Sequence, residues 1–269
     1  MNRWLSPGAA IVGVVCCVGG ASAKDFELTL SGHGQIRSFI YADRGPDNWI
    51  DTIIGLESEI LRYQRTYLVF RFEDETDMGH GSEAIKAFDP NRGRWMFGVS
   101  SRTELQAHFV ELLFRHDCFH GIDRYLADQD FKMSSFGFAF GSLGYLQKYR
   151  FRRGGSTSFP VGFDYLLMPA LYVPKGEPWN RSPYLLRVEA NARLDLVRWE
   201  SLGFGLESAN VFYYDADRGV VQRSHRLDAS MFLYGTSAAL LIYAGVWPYD
   251  NQVFRNRNGK VVAGLELSY

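Results

Sequence analysis

The sequence predicts an all-β chain, an antiparallel transmembrane β-barrel of about twelve strands, with ten or fourteen also compatible with the pattern. Three observations carry that expectation. Runs of about ten residues alternate apolar and polar side chains with period two. Aromatic residues collect near the ends of those runs. The connections between runs come in two sizes.

The alternation can be followed along the chain. In Thr66 to Phe72, Leu68, Phe70 and Phe72 share one face, and Tyr67, Val69 and Arg71 the other. Val110, Leu112 and Phe114 oppose Glu111, Leu113 and Arg115. Arg187, Glu189, Asn191 and Arg193 share one parity, against Leu186, Val188, Ala190, Ala192 and Leu194. Successive strand side chains point to opposite faces, so each run has one apolar and one charged side. A barrel in lipid turns the charges inward, and Arg65, Arg71, Glu73, Glu111, Arg115, Arg187, Glu189 and Arg193 would lace the lumen with ion pairs. Ala229 to Tyr249 carries no charge, yet Gly235-Thr236-Ser237 and Pro248 break it into two strands around a turn rather than one helix.

Trp49, Trp95, Trp179, Trp199 and Trp247, with Tyr213, Tyr214 and Tyr249, fall near strand ends, as belts at two membrane interfaces would require. Tight connections are expected at Ser100 to Arg102, Gly141 to Gly144, Glu200 to Gly203 and Gly235 to Ser237. Long ones are expected at Asp43 to Asp51, Glu73 to Arg94, Asp117 to Lys132, Val173 to Ser182, Asp215 to Gln222 and Pro248 to Lys260. Short turns on one side and long loops on the other are the usual barrel arrangement.

Composition supports a single barrel. The 269 residues are 46% hydrophobic and 15% aromatic with a net charge of −1, which excludes disorder and leaves no basic stripe for nucleic acid. Mean hydropathy is slightly polar at −0.16, unusual beside so many aromatics but natural for strands apolar on one face. Arg3 is the only charge before Lys24, and the apolar run Gly8 to Gly20 ends in Ala21-Ser22-Ala23. This reads as a signal peptide over 1–23, cleaved at the Ala21/Ala23 motif, with the barrel over 24–269. Cys16 and Cys17 would leave with it, so Cys118 would be the sole cysteine and no internal disulfide could form.

At the C-terminus, Val261, Ala263, Leu265, Leu267 and Tyr269 alternate with Val262, Gly264, Glu266 and Ser268. Gly264, Leu267 and the terminal Tyr269 resemble the C-terminal assembly signal of bacterial outer-membrane barrels; Val262 stands where that signal has a polar residue. The resemblance implies the outer membrane of a diderm bacterium as location. It implies barrel-assembly machinery, membrane lipids and lipopolysaccharide as partners.

The dense cluster of reactive side chains is Arg115-His116-Asp117-Cys118-Phe119-His120-Gly121-Ile122-Asp123-Arg124. His116 and Cys118 share the parity of Val110, Leu112 and Phe114, the side expected to face lipid. A neutral imidazole can take a proton from a neighbouring thiol, and the thiolate can attack an ester. His116-x-Cys118 resembles the His-x-Ser pair of outer-membrane phospholipase A and the lipid A deacylases, with Cys for Ser and no Asn nearby to orient the histidine. Asp123, Asp128 or Asp130 could supply that orientation. The His116-x-Cys118-x-His120 spacing is also similar to a family of outer-membrane barrels whose strands end in His-x-Ser-x-His and which have no assigned activity.

A metal site from His116, His120, Asp117 and Asp123 is a second chemical reading, although the spacing matches no strong motif. The third has these residues capping a strand and ordering a loop, with Cys118 and Phe119 packing inward. That reading is preferred on the sequence, giving an envelope barrel that is structural or passes small solutes. The alternative is an acyl hydrolase of phospholipid or lipid A. No cofactor is required, though the acidic Glu73-Asp74-Glu75 and Asp77 could hold a divalent cation bridging lipopolysaccharide. His33, His80, His108 and His225 are isolated in the sequence.

Overall fold

A computed structural model describes residues 26–45, 48–79, 89–121, 131–146, 162–174, 182–199, 201–235, 237–252 and 256–269. Twelve antiparallel strands close into one barrel: β1 Phe26–Gly45, β2 Asn48–Tyr63, β3 Thr66–Gly79, β4 Asp89–Leu105, β5 His108–Gly121, β6 Phe131–Ser142, β7 Gly162–Tyr172, β8 Tyr184–Trp199, β9 Leu202–Asp215, β10 Val220–Tyr234, β11 Ala239–Asp250 and β12 Val261–Ser268. Each strand pairs with its sequence neighbours, and β12 returns to β1 in a register running from Gln35 opposite Ser268 to Tyr41 opposite Val262. Closure leaves no free sheet edge. Among the described residues no helix is long and apolar enough to cross a membrane. The uncharged stretch from Ala229 is β10, a turn and β11.

The side-chain parity follows the sequence pattern. Leu112 is 56% exposed on the outer wall, whereas the next residue, Leu113, is buried inside. The lumen is crossed by charge pairs. Arg71 bridges Glu57 and Glu111 at 2.6 Å each, and Arg102 joins the same two carboxylates at 2.8 and 3.3 Å. Nearer the long loops, Arg94 meets Glu73 at 2.9 Å and Asp117 at 3.1 Å. Arg115 spans from Asp117 at 2.6 Å to Glu189 on β8 at 3.5 Å. Arg187 pairs with Glu189 beneath it. Arg257, in the β11–β12 connection, reaches across to Glu75 at 2.5 Å and Asp51 at 3.4 Å.

At the opposite end, a one-turn helix α1 (Leu143–Leu146) follows β6. Leu143 and Leu146 pack on the cluster Phe109, Leu113, Ala139 and Met168, and Tyr145 Oη accepts from Asn191 Nδ2 at 3.1 Å. Among the described residues the lumen holds a cavity of about 350 Å³ on the α1 side and another of about 250 Å³ lined by Arg94, Arg115 and Arg257.

Several sequence expectations need correction. Ser100 to Arg102 is not a turn; it lies within β4, and Arg102 is a buried lumen cation. The turns there are Gln64-Arg65 and Gln106-Ala107, where Gln64 (φ 54°) and Gln106 (φ 31°) take the positive φ usually given to Gly or Asn. No glycine marks them, so the sequence concealed them. Arg65 sits in the first of these turns, exposed rather than luminal. The region from Glu73 to Arg94 is mostly strand, because arginines inside the barrel neutralise its inner carboxylates. Glu73, Glu75 and Asp77 point inward while Asp74 alternates outward, so these carboxylates do not gather around one cation. Gly141 to Gly144 leads into α1 rather than directly into a strand. Trp247 and Tyr213 are buried in the lumen rather than placed in a belt, Trp247 beneath the guanidiniums of Arg226 and Arg257. Trp179, Asp123, Asp128, Asp130, His80 and the leader with Ala21 and Ala23 lie outside the described residues.

The C-terminal residues form the closing seam. Leu267 and Tyr269 face outward, and the Tyr269 and Gly34 backbones exchange two hydrogen bonds of 2.9 and 3.0 Å. Gly264 faces inward, where an added Cβ would stand 2.5 Å from Tyr243 Oη and 2.6 Å from the Ser38 carbonyl oxygen. A phenol can swing away, but the Ser38 backbone belongs to the seam ladder. Gly264→Ala is expected to cost about 1–3 kcal/mol as overpacking. A lowered midpoint temperature of the heat-modifiable gel shift would register it, and Tyr243→Phe in the same chain would not restore it.

Candidate functional site

β5 rises from the Gln106-Ala107 turn and carries His116 and Cys118 near its far end, beside the long connections. Ten residues of strand at the usual rise and tilt climb about 26 Å, close to the ~25 Å height of a barrel's apolar band. Both side chains point to the exterior, with Val110, Leu112 and Phe114 below them on the same face. Cys118 does not pack inward, contrary to the capping reading. Only Phe119, next along the strand, turns to the lumen, where it packs near Met133 and Tyr213.

The two residues are in contact. Cys118 Sγ lies 3.0 Å from His116 Nε2. On the other side of the ring, His116 Nδ1 lies 2.8 Å from Ser134 Oγ. Ser134 belongs to β6, directly opposite His116 in the ladder, and is 2% exposed. With the ring proton on Nδ1 donated to Ser134, the Nε2 lone pair faces the thiol and can receive its proton. This is the order nucleophile, base, orienting group that activates a weak nucleophile. The ladder brings Ser134 to His116, while the sequence candidates for orienting it, Asp123, Asp128 and Asp130, lie outside the described residues. Only strand pairing could reveal that, since Ser134 stands sixteen residues beyond Cys118 in the sequence.

Of the proposed metal ligands, Asp117 parts from the two histidines, and Asp123 lies outside the described residues. Asp117 alternates to the lumen, where Arg94 and Arg115 hold it, while His116 and His120 stand outside. His120 instead lies against Trp95, ring centroids 5.0 Å apart. Among the described residues no three metal-ligating side chains of the His, Cys, Asp and Glu types converge.

Other histidines acquire neighbours. His108 Nδ1 meets Tyr165 Oη at 3.1 Å. His225 Nε2 lies 3.3 Å from Ser208 Oγ on the outer wall. There the nearby amide of Asn210 donates to Ser208 at 3.0 Å rather than orienting the histidine. The His225 pair is longer than the His116 pair and lacks its relay order.

The surroundings of Cys118 are graded. In its own row stand Trp95 on β4 and Lys132 on β6, its two ladder partners. One row toward α1 are Phe97 and Ser134 beside His116. Below them Phe114 and Phe136 pack with centroids 5.1 Å apart, and Phe97 and Phe136 are broadly exposed. The thiol therefore sits where an apolar wall meets a polar edge.

No protein-family model matches the chain, and no curated protein matches it. Solved structures do. The outer membrane phospholipase of Salmonella typhi, a dimer with bound calcium, superposes with a TM-score of 0.52 at 7% identity, covering 92% of this chain and 94% of that one. Outer membrane phospholipase A from Escherichia coli gives 0.52 at 8% identity, covering 90% and 97%. The fold is that of the outer-membrane β-barrels. LpxR from Salmonella typhimurium also aligns, with a TM-score of 0.48 at 8% identity over 88% of this chain and 99% of that one.

The thiol, imidazole and buried hydroxyl stand in line on an exterior wall that is otherwise apolar below them. Ser134→Ala would remove the group that fixes the ring. It is expected to leave the barrel folded and to speed or slow alkylation of Cys118 at least twofold, while Ser134→Asn, which can still accept from Nδ1, stays closer to the parent rate. Timed labelling with iodoacetamide in detergent reads both.

Proposed function

We propose that the protein is an exported outer-membrane acyl hydrolase that acts on membrane lipid from the barrel's exterior wall. The observation that carries this reading is the relay Cys118 Sγ–His116 Nε2 (3.0 Å) and His116 Nδ1–Ser134 Oγ (2.8 Å) at the outer edge of the apolar band. His116 takes the thiol proton as Cys118 attacks the ester carbonyl carbon. The tetrahedral intermediate collapses as the imidazolium returns that proton to the leaving alkoxide, leaving an acyl thioester on Cys118. Water, deprotonated by His116, then attacks the thioester; fatty acid leaves and the thiol is restored. Ser134 holds the ring and is a positioning residue. Neighbours with the same fold that are phospholipases support the reading at the level of architecture.

The test is hydrolysis of phospholipid vesicles by the purified, folded barrel, with released fatty acid titrated. Release by the parent protein and its loss in Cys118→Ala are expected; release undiminished in that variant would overturn the assignment. Export predicts a mature chain that begins at Lys24, which N-terminal sequencing from the outer-membrane fraction checks.

A scaffold or small-solute pore is the second reading. Its support is the pair of lumen cavities. Against it stand the Arg115–Glu189 pair, which links β5 to β8, the Arg257–Glu75 pair, which links the β11–β12 connection to β3, and α1 at one mouth. Conductance in planar bilayers below that of an open pore, unaffected by Cys118→Ala, is the expected result.

A further inference from the structure

We propose that Lys132 is the specificity-determining group of this site, and that its substrate is an acyl lipid carrying a phosphate close to the scissile ester. The inference rests on the acyl-hydrolase reading of Cys118 and names the substrate class for it.

Lys132 stands directly opposite Cys118 in the β5–β6 register and points to the same exterior face. Directly opposed residues of neighbouring strands have Cβ atoms about 5 Å apart. The ammonium, on its four-carbon stem, can therefore sit one headgroup's width from an ester held at Sγ. A cation on the outer wall of a barrel is expensive at the apolar band and becomes favourable only where an anion or water meets it. Its position at the band's edge allows the stem to lie on the wall and the charge to rise into the headgroup layer.

The neighbours fix the orientation of such a lipid. Phe97, Phe114 and Phe136 cover the wall on the α1 side of the relay and suit an acyl chain. Trp95, 42% exposed on the other flank of Cys118, is suited to the headgroup boundary. A lipid lying with its chain over the phenylalanines puts its ester at Cys118 and its polar head beside Lys132 and Trp95. A neutral acylglycerol offers the ammonium no charge, whereas a phosphate would meet it in a charge-assisted hydrogen bond. Glycerophospholipid and lipid A both present phosphate near an ester, and experiment separates the two sources.

The full-length barrel in detergent is assayed on phosphatidylglycerol, on lipid A and on neutral diacylglycerol with matched chains. Lys132→Met is expected to lower the ratio of kcat/KM for phosphate-bearing over neutral lipid by about 10-fold or more, and Lys132→Arg to retain most of it. Loss of activity on phosphatidylglycerol alone, or on lipid A alone, identifies the source. An unchanged ratio overturns the proposal. A second readout does not need turnover: non-hydrolysable ether lipids, with and without phosphate, are tested for protection of Cys118 from alkylation. Selective protection by the phosphate ether that Lys132→Met removes upholds the contact even if no ester is cleaved, in which case the hydrolase reading alone fails. Equal protection by both ethers overturns the phosphate contact and leaves the hydrolase reading standing.

Discussion

Cys118→Ala is expected to lower lipid hydrolysis by at least ~10³-fold, and His116→Ala to do the same. The physical ground is the 3.0 Å contact between thiol and imidazole. Without Sγ no acyl-enzyme forms, and without Nε2 the thiol loses the base that takes its proton. Because the two act as one unit, the double variant should be no worse than either single one. Both side chains face the exterior, so neither truncation opens a hole in the lumen. Unchanged heat-modifiable migration separates lost chemistry from lost folding. Cys118→Ser keeps a nucleophile two positions from the base and is expected to retain measurable turnover. Full activity in Cys118→Ala would place the chemistry elsewhere on the wall, with Ser208 and His225 the next pair to examine.

Arg102→Met is expected to cost about 3–5 kcal/mol of barrel stability. Arg102 is 1% exposed and is shared by Glu57 at 2.8 Å and Glu111 at 3.3 Å, with Glu59 at 3.8 Å. Its removal leaves Glu57 and Glu111 to share Arg71 and takes a guanidinium from Glu59, with Glu111 and Glu59 both largely out of solvent. An uncompensated buried charge is far more damaging than the pair was helpful, because desolvation is no longer balanced by attraction. Truncating a partner as well should recover part of the loss, so Arg102→Met with Glu111→Met should be more stable than the sum of the two single changes. Urea titration followed by the mobility of the folded band measures all three. A cost below ~1 kcal/mol for the single change would show that lumen water already solvates this network.

The sequence carried the fold because a barrel strand states its two environments residue by residue. The order Leu112, Leu113, Phe114, Arg115 alternates without regard to distant contacts, and so did its placement outside and inside the wall. Turn positions were less legible. Gln64 and Gln106 adopt positive φ without the glycine that would have announced it, and the charged run after Glu73 looked like a loop until its arginine partners were known. Trp247 and Tyr213 were misplaced for the same reason: an aromatic near a strand end can stack under a luminal arginine as well as face a headgroup.

By itself, then, the sequence determined an all-β barrel with a charged interior, and it put His116 and Cys118 on one exterior face. Period-two geometry makes those properties local. Which residue completes the relay was decided by the tertiary structure alone. Ser134 and Lys132 reach His116 and Cys118 through the β5–β6 register, a pairing set by the intervening connection and the closure of the whole sheet. The same register sends Asp117 inward to Arg94 and Arg115, away from the histidines beside it in sequence. Neighbours along a strand are separated by its faces, and neighbours across a ladder are joined by them.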